Sequence, residues 1–100
     1  MKVQIKRTVG NRCRLYVPLR TDSAIFREFA EKGATLLEGI GIWDGDYEGV
    51  RVIEVMTDSP VPTLESKLTQ LGTKFLEANP DEECFLFTIN CVQIRITRAE

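Results

Sequence analysis

Glu38 and Glu54 each interrupt an apolar run, and Arg51 precedes the second by three residues. If the two runs are neighbouring strands, both carboxylates fall within strands that pair. A buried acidic pair has shifted pKa values and can trade a proton, with Arg51 available to an anion and Gly39 and Gly41 as a pocket floor. Trp43, at the end of the same strand, is placed to cap such a pocket or to bury its ring at an interface. The simpler reading leaves both glutamates on an exposed sheet surface and makes the glycines a place where another backbone approaches closely.

The chain has no histidine. That excludes Ser-His-Asp and Cys-His catalysis, histidine-ligated metal sites and an imidazole proton shuttle. Asp44-Gly45-Asp46-Tyr47-Glu48-Gly49 matches the first half of a calcium loop, but its twelfth position is Val55, where a bidentate glutamate is needed. Asp-Gly also belongs to hairpin turns, and a polar turn is the expectation. Gly39-Ile40-Gly41 is not a dinucleotide fingerprint, because the third glycine is replaced by Asp44. Neither a metal nor a cofactor is expected.

Cys13, Cys84 and Cys91 form no C-x-x-C pair, and an odd number cannot all bond within one chain. Buried free thiols are the expectation. Cys13 lies between Arg12 and Arg14, but in a strand those cations point to the other face, so the thiol gains no activation.

The first twenty residues hold six basic side chains and no acidic one. Lys2, Lys6, Arg12, Arg14 and Arg20 are even, as is Tyr16, whereas Val3, Ile5, Val9, Cys13, Leu15, Val17 and Leu19 are odd. Period-two alternation makes this an extended segment with a cationic face and an apolar face. An odd-length hairpin loop at Gly10 keeps the faces separate, as does one continuous strand bent there. Charge plus a stacking ring suits nucleic acid or another anion. The overall pI of about 5.2 and the lack of an RNA-recognition signature argue against nucleic acid. Residues 1–20 carry +6, 21–90 carry −9 and 91–100 carry +1, so the basic ends either meet an acidic surface or are neutralised within the chain.

One hundred residues, 43% hydrophobic and 28% charged, predict one domain spanning 1–100. A chain this short buries roughly 60–70% of its unfolded surface, so self-association would help its stability. No apolar run approaches the roughly 18–20 residues of a bilayer span, and no signal-peptide core follows the N-terminal lysines. A soluble, cytoplasmic chain is expected.

The elements follow in order. Thr21, Asp22 and Ser23 are N-cap candidates for a first helix carrying Ile25, Phe26, Phe29 and Ala30 and ending at Gly33. Thr35–Trp43 and Val50–Met56 read as a hairpin across the turn at 44–46. Leu64, Leu68, Leu71, Phe75 and Ala78 mark a second helix that begins after Pro60 and Pro62 and stops at Asn79-Pro80. Asp81, Glu82 and Glu83 then form a solvated loop. Phe85–Ile96 reads as one last strand whose apolar face changes parity near Asn90, through a bulge.

Without the extra N-terminal strand, this β-α-β-β-α-β order resembles the ferredoxin-like sandwich, two helices on one face of an antiparallel sheet, over about residues 12–96. That α+β fold includes RNA-recognition domains, regulatory ligand-binding domains and dimeric α+β barrel enzymes, so it selects no function. The chain also resembles orphan proteins of mobile gene cassettes. The leading expectation is a non-catalytic, homo-oligomeric module that binds a small molecule or a protein. Two alternatives stand beside it: nucleic-acid or anion binding by the basic face, and a small barrel enzyme using Glu38, Glu54 or Arg51.

Overall fold

A computed structural model describes residues 1–7 and 9–99. Among the described residues, five antiparallel strands form one sheet: β1 (Asn11–Pro18), β2 (Thr35–Trp43), β3 (Asp46–Thr57), β4 (Cys84–Ile89) and β5 (Val92–Thr97), in spatial order β2-β3-β1-β4-β5. One α-helix, α1 (Val61–Ala78), links β3 to β4, and a single 3₁₀ turn (Ser23–Phe26) lies between β1 and β2. The ferredoxin-like sandwich is therefore corrected: there is one α-helix where two were expected, and the additional strand is C-terminal.

The first helix fails for a local reason. An isolated helix of about a dozen residues is marginal without a tertiary face to pack on, and of the apolar side chains here only Phe26 is fully buried, while Ile25 and Phe29 are partly buried against the core. Asp22 accepts from the Ala24 N–H, and the i→i+3 bonds Arg27 to Ala24, Glu31 to Glu28 and Gly33 to Ala30 hold a series of tight turns. Phe26 nevertheless anchors the segment, since its ring lies 6.4 Å from both Phe75 and Phe85.

The expected N-terminal strand is also absent. Residues 1–7, 9 and 10 have no regular structure, and β1 begins at Asn11, so no hairpin forms about Gly10. Val3, Ile5 and Val9 are 73%, 91% and 89% exposed, whereas Cys13, Leu15 and Val17 are buried. The odd face is thus apolar and covered only from Asn11 onward.

The last strand is two. Ile89 pairs with Val92 across the turn Asn90-Cys91, and Asn90 takes φ 55°. A two-residue turn pairs odd with even, which produces the same parity change as a bulge. Cys91 at this turn is exposed and Cys84 half-buried, so only Cys13 is the buried thiol expected of all three. The β2–β3 turn follows the same rule: Trp43 pairs with Asp46, and Asp44 (φ 49°) and Gly45 (φ 82°) adopt the two left-handed conformations of a type I′ turn.

The core lies between α1 and the inner three strands. Leu15, Val17, Ile53, Val55, Phe85, Phe87 and Ile89 meet Leu64, Leu68, Phe75 and Leu76, with Phe75 and Phe85 centroids 5.3 Å apart. Pro60 precedes the helix and Pro62 occupies its first turn, as the missing N–H allows. Arg98 closes the other end by donating to the carbonyls of Leu76 (2.6 Å), Asn79 (3.0 Å) and Glu82 (3.0 Å). A guanidinium there satisfies orphan carbonyls and suits the negative end of the helix dipole. No helix among the described residues is long and apolar enough to cross a membrane.

Gly72 lets the helix approach the sheet. A Cβ there would stand 2.6 Å from the Phe85 ring and 2.8 Å from Ile96. Alanine gains about 1 kcal/mol of helix propensity, but overpacking two core side chains costs about 1–3 kcal/mol. Gly72→Ala is expected to lower the urea midpoint; an unchanged or higher midpoint would show that the contact relaxes freely.

Candidate interaction surface

The β2–β3 register separates the two carboxylates that the sequence offers as an acid pair. Glu38 is opposite Arg51, and Glu54 is opposite Thr35. Glu38 and Arg51 therefore share the helix-side face, while Glu54 projects from the other side beside Arg14. Arg51 reaches Glu38 at 3.5 Å, and Arg14 Nε donates to Glu54 at 2.5 Å. Each carboxylate has its own arginine, and the sheet lies between them. Glu38 and Glu54 do not meet.

Gly39 and Gly41 lie on the Glu54 face and floor no enclosed pocket. Space above Gly39 is empty, whereas a Cβ on Gly41 would stand 2.8 Å from Val50 and 3.0 Å from the Trp43 indole nitrogen. Trp43 folds back over Gly41, leaving its ring partly exposed. Among the described residues, no three Cys, Asp or Glu side chains gather as metal ligands.

The basic face is dispersed. Lys2 and Lys6 belong to the irregular N-terminal arm, Arg14 binds Glu54, and Arg20 reaches Glu82 at 3.5 Å. Arg12 and Tyr16 remain on the uncovered side of β1. The Glu54 hydrogen bond and charge push the Arg14 pKa up, with a smaller contribution from Tyr16, so this cation is committed to its partner. Burial pushes the Cys13 thiol up as well, which keeps it protonated and unreactive.

The outer sheet is the largest departure from an ordinary covered surface. On the helix side of β2–β3, Leu36, Ile40, Ile42 and Tyr47 are 57%, 75%, 62% and 76% exposed. Leu37 and Trp43 are exposed on the opposite side. β2 pairs only with β3, so its outer edge is open. Polar loops hide such edges in many proteins, but here apolar side chains accompany the unpaired backbone.

A second feature is a cleft of about 860 Å³ between the 3₁₀ segment, the end of β3 and α1. Ile25, Phe29, Val55, Leu64 and Leu71 line its apolar part. Its rim balances Lys32, Lys67 and Lys74 against Glu28, Glu31 and Asp58, so charge selects no ligand. None of these residues stood out in the sequence as a site, because they come from three elements whose packing creates the gap. The usable signal was the weakness of the 21–33 helix.

No protein-family model, curated protein or solved structure matches this chain.

The Asp81–Glu83 loop is less free than its composition implies. Burial raises the Glu82 carboxyl above its usual range, the charges of Glu48 and Asp81 add to this, and Arg20 opposes it. A carboxyl whose folded pKa is the higher one binds its proton more tightly when folded. Its penalty is therefore present at neutral pH and vanishes as pH falls through the folded pKa. Glu82→Gln is expected to raise Tm at pH 7 and to match the parent at pH 3; a lower Tm at pH 7 would mean that the Arg20 pair outweighs burial.

Proposed function

We propose that this chain is a non-catalytic binding module that assembles with copies of itself through the β2–β3 ribbon. The observation that carries this reading is Leu36, Ile40 and Ile42 exposed on the helix side of β2, with Glu38 between the first two, beside an open strand edge. Covering a fully exposed Leu or Ile contributes roughly 1.5–3 kcal/mol. Three such residues, already partly covered, do not alone overcome the roughly 4–15 kcal/mol cost of association. Backbone pairing along the open edge supplies the additional interaction and its geometry. The separation of Glu38 from Glu54 and the internal pairing of Arg14 and Arg20 support binding over acid/base catalysis or phosphate recognition.

Light scattering on the full chain at tens of micromolar is expected to give a dimer or higher species. Ile40→Lys with Ile42→Lys should yield a folded monomer whose Tm matches that of the parent at concentrations too low for association, because neither side chain supports the core. A monomeric parent protein overturns the reading.

The cleft favours a second reading, a site for a small apolar molecule. A neutral solvatochromic dye should then bind with about 1:1 stoichiometry and lose at least tenfold affinity in Leu71→Glu. Equal binding to the variant rules it out.

A further inference from the structure

We propose that the N-terminal arm, residues 2–7, adds as an edge strand to β2 of a second copy, and that two copies exchange arms reciprocally. This rests on the self-assembly reading above and names the segment that covers the ribbon.

The pieces fit by pattern and by charge. Val3 and Ile5 alternate with Lys2, Gln4 and Lys6, which is the period of a strand, yet this segment is paired with no strand of its own chain. β2 has an open edge with Leu36, Ile40 and Ile42 on one side and Gly39 and Gly41 on the other. An added strand with Val3 and Ile5 on the helix side continues the apolar row. Its lysines then face the glycine side, where space above Gly39 is empty and Glu48 stands across from Gly41.

Charge decides between this partner and the simplest alternative. Residues 35–57 contain five acidic side chains and one arginine; Glu38 and Glu54 are paired with Arg51 and Arg14, which leaves Asp44, Asp46 and Glu48, whereas residues 2–7 contain Lys2, Lys6 and Arg7 and no acid. Pairing β2 with β2 of another copy would bring two acidic ribbons together. Pairing β2 with the arm brings opposite charges together.

The root of the arm is held and its tip is not. Asn11 donates to the Ser59 carbonyl at 2.8 Å and accepts from Asn90 at 2.9 Å, and a Cβ on Gly10 would collide with the Thr57 carbonyl at 2.7 Å. Six extended residues reach about 20 Å, enough to run along most of the nine-residue β2. Reciprocal exchange closes the pair by a two-fold axis and leaves neither arm unpaired.

The test uses sedimentation equilibrium on full-length proteins. Lys2→Glu, Lys6→Glu, Arg7→Glu should weaken self-association at least tenfold without changing the Tm measured at concentrations too low for association, and Asp46→Lys, Glu48→Lys should also weaken it. Mixing the two variants should restore a 1:1 heterodimer, because each arm then meets a ribbon more favourable than its own. A dimer unaffected by deleting residues 2–7 overturns the arm exchange while leaving the ribbon assembly standing. A monomeric parent overturns both, including the case in which the arm amides are protected from hydrogen exchange by folding onto the β2 of their own chain.

Discussion

An α-helix with its side chains is about 10–12 Å across, and neighbouring strands lie about 4.8 Å apart. One helix therefore covers roughly two strands. This sheet has five, and α1 packs mainly over β4, with the Phe26 turn filling the gap toward β1. Everything beyond the inner part of β3 lacks a layer. The buried cluster ends at Ile53 and Val55, and the same face continues outward as Leu36, Ile40 and Ile42 in contact with solvent. The exposed ribbon and the cleft beside the 3₁₀ turn are consequences of one shortage of helix.

The same economy governs the charges. The chain is basic at both ends and acidic in the middle, and the fold uses three of the terminal arginines internally. Arg14 crosses to Glu54 on the adjacent strand, Arg20 meets Glu82, and Arg98 caps α1. Of these, the Arg98 contacts restrain the chain most clearly, because three carbonyls converge on one planar group. The partly exposed pairs add modestly in water. Among the charges that no ion pair of the described residues engages are Lys2, Lys6 and Arg7 of the arm and Asp44, Asp46 and Glu48 of the ribbon, and these have opposite signs.

Parity arguments succeeded for which residues share a face from Asn11 onward, failed for residues 2–7 and 9, where no strand forms, and were ambiguous about connection. Cys13, Leu15 and Val17 were legible as buried, and the Leu64-Leu68-Phe75 stripe was legible as a helix, because burial imposes a period on the sequence. The shift at Asn90 was legible too, but a bulge and a two-residue turn move the pattern by the same amount. Asparagine's tolerance of φ 55° accompanies the turn. For residues 21–33 the apolar spacing was compatible with a helix, yet one turn of pattern carries little information. Whether it extends depends on a packing face supplied from elsewhere.

The candidate site was less legible than the fold. Glu38, Arg51 and Glu54 were correctly placed on neighbouring strands, but a one-residue choice of register decides which of them share a face. Composition and spacing by themselves determined the lack of histidine chemistry, the buried face of β1, the long amphipathic helix and the opposed charges of arm and middle. Tertiary structure alone decided that Glu38 and Glu54 lie on opposite sides, that Arg98 closes α1, and that β2 is left at an open edge. The physical reason is that local periodicity records only whether a side chain is covered. Register, strand order and the amount of helix available to cover the sheet are set by contacts between segments far apart in the chain.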